Sequence, residues 1–191
     1  MKTGRLEAFS DGVLAIIITI MVFEIKAPED ASFESLKPVL PVFLTYVLSF
    51  VYLAIYWNNH HHLLHAVNQV NGKILWANLN LLFWLSLFPF VTGWMGENHF
   101  ETNPTAMYGI VLFMAAFAFK ILVHFVIKNE GKQSNVGKVY SNDKRLNISL
   151  LLYLIGISIA FIQPIISLVV YLVVALIWVV PDSRIEKTLK N

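Results

Sequence analysis

Cysteine is absent from the 191 residues, which excludes disulfides, thiolate metal sites and cysteine nucleophiles. Charge is scarce as well: Asp, Glu, Lys and Arg make up 14% of the chain, against about 25% in a soluble domain. Too few polar side chains remain to cover a surface facing water. The sequence also lacks a Gly-rich phosphate loop, an acidic pair at membrane depth, and the two-His-plus-Glu or Ser/His/Asp patterns of an intramembrane enzyme. No enzymatic role and no cofactor are expected, and nothing points to nucleic acid.

What is present is apolar. Hydrophobic residues reach 57% and the mean hydropathy is +0.65. A transmembrane helix needs about 20 mostly apolar residues, so six of them would use roughly 120 and leave short loops. The reading is therefore all-α: a polytopic membrane protein of six transmembrane helices in a single domain over residues 1–191, in contact with membrane lipid. The helices are placed at about 6–26, 36–65, 73–95, 105–127, 146–162 and 164–180. Lys2 and Arg5 precede the first apolar run, but no small-residue cleavage site follows, so it is read as a retained helix and not as a signal peptide.

Local signals set the breaks. Pro28-Glu29-Asp30 ends the first helix, Asn71-Gly72 makes a turn, and Pro89 sits inside the third helix, where neighbours can satisfy the freed carbonyl. The stretch from Lys128 to Arg145 is polar and basic, the longest piece outside the membrane. Leu146 to Val180 is 35 residues without a charge, about 52 Å as one helix, so Gln163-Pro164 is taken as the break of a tight hairpin.

Six spans put Lys2, Arg5, Lys73, Lys128, Lys132, Lys138, Lys144, Arg145, Arg184, Lys187 and Lys190 on one side and Lys26 and Lys37 on the other. Eleven basic residues against two place both termini in the cytoplasm, with the outer loops acidic through Glu29, Asp30, Glu34, Glu97 and Glu101. Those acids would raise the local cation concentration at an outer mouth or simply be solvated.

The unusual segment is Arg5-Leu6-Glu7-Ala8-Phe9-Ser10-Asp11-Gly12, which runs charged and polar residues into an apolar helix. At 100° per residue, Phe9, Gly12, Ile20 and Phe23 fall within about 40° of Ile16 and Thr19 about 60° away, while Asp11 lies about 140° round. One face is an apolar stripe with a single hydroxyl. The acid faces the other way, towards neighbouring helices, where it needs donors. Arg5 could fold over it. Other candidates are Asn58, Asn59, His61 and His62 near the end of the second helix, and Trp76, Asn78, Asn80 and Trp84 on the third.

The pattern Arg5-x-x-x-Phe9-Ser10-Asp11 at the start of the first of six helices, followed by Gly12-Val13-Leu14-Ala15-Ile16-Ile17-Ile18-Thr19-Ile20, resembles the prokaryotic branch of the endolysosomal transmembrane potassium channel family. The Asn/His-rich end of the second helix and the Asn-containing third helix are similar to it as well. The resemblance implies a homotetramer in a cell (plasma) membrane, passing monovalent cations with a modest preference for K+. No Thr-Val-Gly-Tyr-Gly filter segment is present, in keeping with a family that lacks a re-entrant pore loop. By the same resemblance four copies of the first helix line the pore: Ile16 forms the narrowest ring, Ile20 and Phe23 continue the pore face, and Thr19 supplies a hydroxyl layer for selectivity. Phe23 departs from the aliphatic residue usual there. Arg5, Phe9, Ser10 and Asp11, with His61, His62, Asn78, Asn80 and Trp84, would form the network that fixes the first helix.

His61 and His65 lie one turn apart, as zinc ligands do, but few carboxylates stand near them in sequence, so no metal is expected beyond permeating K+. His124 and Lys120 read as snorkelling or inter-subunit contacts. Trp57, Trp76, Trp94 and Trp178 read as interfacial anchors. A secondary cation or proton-coupled transporter would want acids at the midplane and an internal repeat, and neither appears. A structural membrane protein is the other alternative.

Overall fold

The computed structural model describes residues 3–141 and 143–179. The expectations placed on Lys2, Val180, Arg184, Lys187 and Lys190 lie outside the described residues. Within them every regular element is helical: α1 (Thr3–Phe23), a 3-10 segment (Phe33–Val39), α2 (Leu40–His65), α3 (Gly72–Ser86), α4 (Phe88–Glu97), α5 (Thr102–Glu130), α6 (Asn135–Tyr140), α7 (Arg145–Ala160) and α8 (Pro164–Val179). Four stretches, Thr3–Phe23, Phe33–His65, Gly72–Glu97 and Thr102–Glu130, are long and apolar enough to cross a membrane. The two helices of the last hairpin are apolar and have 16 residues each.

The boundaries differ from the expected ones for local reasons. Pro89 lacks the N–H that would bond to Leu85, and the third helix divides at Leu87 into α3 and α4, with Pro89 in the first turn of α4. Helix α5 continues past Lys128 to Glu130 because a charged side chain does not stop a helix. Gly131 does, with φ of 93°, a conformation that costs a residue with a β-carbon. The Asn71-Gly72 turn is a helix cap: the Asn71 side chain accepts from the N–H groups of Lys73 and Ile74 at 3.0 and 3.1 Å. Part of the polar segment expected after Lys128 forms α6, started by Ser134, whose Oγ accepts from the Gly137 N–H at 3.1 Å. Its buried Val136 and Val139 pack into the core.

Helix α5 is central, packed on α3 and α7, with α8 on α7, α2 on α4, and α1 laid across α2, α3 and α4. The core is sealed by Leu53, Leu81, Phe88, Leu112 and Leu122, and several of its polar side chains pair with one another inside it, as a membrane favours, while His60 Nδ1 and Thr105 Oγ1 are buried without a hydrogen-bond partner. Ser49 Oγ lies 2.7 Å from Thr92 Oγ1 and 3.0 Å from Tyr108 Oη, and the Tyr52 hydroxyl donates to the Tyr171 carbonyl at 2.5 Å. A β-carbon at Gly156 would come within 2.5 Å of the Tyr171 ring, so α7 and α8 approach as closely as they do because that position is glycine. At the opposite end from the basic loops, Lys26 binds Glu97 at 3.0 Å and Lys37 pairs with Glu34. The Glu97 carboxylate raises the Lys26 ammonium above the ordinary lysine range by hydrogen bond and charge.

Candidate functional site

Helix α1 has two faces. Leu6, Ser10, Leu14, Ile17 and Met21 are buried against the bundle, at the spacing of three or four residues that keeps one side inward. On the other side Phe9, Gly12, Ile16, Thr19, Ile20 and Phe23 are exposed on the single chain, Ile16 at 60% and Phe23 at 78%. The Thr19 hydroxyl donates to the Ala15 carbonyl at 2.8 Å. Its proton is thereby directed along the helix, and its lone pairs stay free on the exposed face.

Three polar contacts fix the buried face. A directed chain runs from α2 through α3 to α1: His60 Nε2 lies 2.6 Å from Asn78 Oδ1, the Asn78 amide donates to Ser10 Oγ at 3.0 Å, and Ser10 Oγ donates to the Leu6 carbonyl at 2.8 Å. Because the Asn78 oxygen can only accept, the His60 proton facing it sits on Nε2. His60, Asn78 and Ser10 are each at most 2% exposed, so every link replaces a contact with water that is out of reach, and each bond polarises the next. Nearer the edge, the Trp57 indole donates to Asp11 Oδ1 at 3.0 Å. One turn along both helices, His61 Nδ1 meets Glu7 Oε1 at 2.7 Å. From Asp11 to Glu7 and from Trp57 to His61 the chain steps four residues in opposite directions, so α1 and α2 are antiparallel and in register there.

The expected members of the network are thus distributed differently. Ser10 and Asn78 are joined directly, and His61 reaches Glu7. Arg5 is exposed, and among the described residues no ion pair joins it to Asp11. Phe9 is exposed at 54%. His62 lies with its ring 5.7 Å from that of His61. Asn80 borders an open groove with Trp76, Ile121 and Phe125, and Trp84 packs edge-on against Phe83. Asn59 turns back to its own helix, donating to the Ile55 carbonyl at 2.8 Å.

Sequence reasoning missed Trp57, His60 and Glu7. Trp57 is a donor to Asp11 and stacks on His61 at 6.0 Å, besides any anchoring at the interface. The signal available was the matched four-residue spacing of Glu7 and Asp11 with Trp57 and His61. Contrary to the sequence expectation, a two-His-plus-Glu group does exist, because packing brings Glu7 of α1 to His61 and His65 of α2, with one ligand atom of each within 4.8 Å of the others. A search for neighbouring carboxylates along the chain overlooks an acid that arrives from another helix.

Trp57→Phe keeps an aromatic ring beside His61 and removes the indole N–H with only part of the ring system. It is expected to lower unfolding stability by about 1 kcal/mol, read from denaturant unfolding in detergent, whereas Trp57→Ala loses the ring contact as well and falls further.

A family profile described as "Endosomal/lysosomal potassium channel TMEM175" matches residues 5–89, the stretch that holds α1, α2, α3 and the polar anchor. Among curated proteins, a potassium channel of Chryseobacterium is 56% identical over 191 residues, the full length of both chains. A potassium channel of Chamaesiphon minutus is 30% identical over 187 residues, 92% of each. The crystal structure of a lysosomal potassium-selective channel TMEM175 homolog from Chamaesiphon minutus superposes with a TM-score of 0.78 at 28% identity, covering 93% of this chain and 96% of that one.

Proposed function

Since this chain belongs to the TMEM175 potassium channel family, we propose that it is a K+-conducting channel whose pore is lined by four copies of α1 in a homotetramer. The full chain is one channel domain, no enzyme, with six spans: α1, α2, the α3–α4 pair, α5, α7 and α8, and no re-entrant loop. The short α7 and α8 would reach about 24 Å each at 1.5 Å per residue, enough for a hairpin standing upright in a locally thin bilayer. Both termini face the cytoplasm of a plasma membrane, by the basic-residue balance.

The observation that carries this reading is the exposed stripe of α1. Its apolar side chains are left uncovered in the single chain although the opposite face is anchored by three polar contacts, an arrangement suited to a helix that must hold its position while meeting its own copies. In the proposed pore Ile16 forms the constriction, Ile20 and Phe23 extend the apolar bore, and Thr19 presents a ring of oxygen lone pairs next to it. Such a ring favours the ion that gives up water most cheaply, K+ over Na+. The paired basic groups Lys26 and Lys37 leave the acidic residues of the opposite end in excess, which favours cations at that mouth.

Flux measurements on purified protein in liposomes, with K+ and Na+ gradients, test the assignment. Thr19→Ala is expected to bring the K+ over Na+ preference towards unity while flux persists. Unchanged selectivity in Thr19→Ala, or flux that saturates and couples to a second ion, overturns the pore assignment and favours a carrier. The homotetramer is checked on the same preparation by its mass.

A further inference from the structure

Glu7, His61 and His65 lie outside the exposed stripe and outside the Ser10 anchor, and conduction by α1 makes no use of them. We propose that they form a binding site for a zinc-class divalent transition ion, bridging the first turns of α1 to the last turn of α2.

The donor set fits that ion. His61 and His65 are four residues apart on one helix, so both imidazoles project from the same side, the spacing that lets two histidines share a metal. Their rings lie 4.9 Å apart, tilted at 71°. Glu7 supplies an oxygen from a second helix. One ligand atom of each residue falls within 4.8 Å of the others, and Glu7 Oε1 already touches His61 Nδ1 at 2.7 Å. In a tetrahedral site with bonds of about 2.0–2.2 Å the ligand atoms stand roughly 3.4 Å apart. Closing the group therefore asks His65 to swing inwards and the Glu7–His61 pair to part slightly, both rotations of exposed or half-buried side chains. Two imidazoles and one carboxylate suit zinc, copper or nickel better than magnesium or calcium, which prefer oxygen. Three protein ligands leave the fourth position to water.

The surroundings favour the geometry. Trp57 stacks on His61 and donates to Asp11 one turn above, so the His61 ring is held from one side while its Nδ1 is aimed at Glu7. The Ser10–Asn78–His60 chain fixes the register that brings Glu7 there. An ion at this point would tie the start of α1 to α2 without touching Ile16 or Thr19.

The test is calorimetric titration of ZnCl2 into the full-length protein, purified without a polyhistidine tag, with Co2+ spectra as a report on geometry. The native chain is expected to take one Zn2+ per chain and to give the strong visible absorption of four-coordinate Co2+. His65→Ala, exposed and free of any hydrogen bond, and Glu7→Gln are each expected to weaken Zn2+ binding at least about tenfold. His99→Ala/His124→Ala is expected to bind as the native chain does, and Mg2+ to give no heat. Absence of Zn2+ binding by the folded native chain, or equal affinity in folded His65→Ala, overturns the site. Because none of these readouts depends on ion flux, the site and the channel reading stand or fall separately.

Discussion

Ile16→Asn is expected to leak. In the proposed pore four isoleucines meet at the narrowest point, and hydrocarbon there offers a permeating ion nothing in place of its hydration shell, so the resting bore is dry and closed. Asparagine is of similar size but carries an acceptor and two donors; four copies would wet the constriction without widening it. Resting K+ flux should rise roughly tenfold or more. The substitution is clean because Ile16 is 60% exposed in the single chain, so little packing within a subunit is lost. Liposome flux with and without the substitution checks the outcome. Were this stripe to face lipid instead, asparagine would weaken insertion and produce no leak, and the structural-protein reading would gain.

The second large effect concerns the anchor. Asn78→Ala removes the amide that joins His60 to Ser10 and leaves two polar side chains buried with one partner fewer. Orphaned buried groups cost about 1–3 kcal/mol each in water-soluble proteins, while hydrogen bonds between membrane helices average nearer 0.6 kcal/mol because the unfolded chain in lipid also finds partners. The expected loss is therefore about 1–3 kcal/mol in all, still a large share of a marginal stability. Ser10→Ala should share that loss, and the two substitutions together should cost less than their sum, since both break one chain. Denaturant unfolding in detergent of the native chain and the three variants measures the coupling. Additive losses would mean that Asn78 and Ser10 act independently.

Much of the fold was legible from local chemistry. Long unbroken apolar runs identify membrane helices because a helix satisfies every backbone group of such a run within itself in lipid, and the breaks at Asn71-Gly72 and Gln163-Pro164 rest on turn residues whose preferences hold in any surroundings. The division at Leu87 was visible only as a possible kink, since whether proline bends or splits a helix depends on what its neighbours supply. The short α6 was missed because six residues carry too little periodicity to distinguish from a polar loop. On α1 the wheel separated the Ile16 stripe from the Asp11 side, and the structure has the stripe exposed and Ser10, Leu14, Ile17 and Met21 inward.

The partners of the motif were a different matter. Asp11 needed a donor, and asparagines, histidines and tryptophans were all in reach by depth. Which one arrives depends on the rotation of α2 about its axis and its register against α1, and a shift of one residue turns a helix by about 100°. That rotation depends on packing across the whole buried core, to which the three helices contribute Leu14, Ile17, Leu53, Leu64, Ile74 and Leu81, and not on any short segment. The sequence by itself determined that this chain is an all-helical membrane protein, and a resemblance carried by its first helix pointed to the family that comparison with known proteins establishes, because hydropathy, turn chemistry and a contiguous segment are local properties. Only the tertiary structure decided that Trp57 serves Asp11, that Asn78 links His60 to Ser10, and that Glu7 joins His61 and His65, because those contacts join side chains from different helices whose register is fixed by packing.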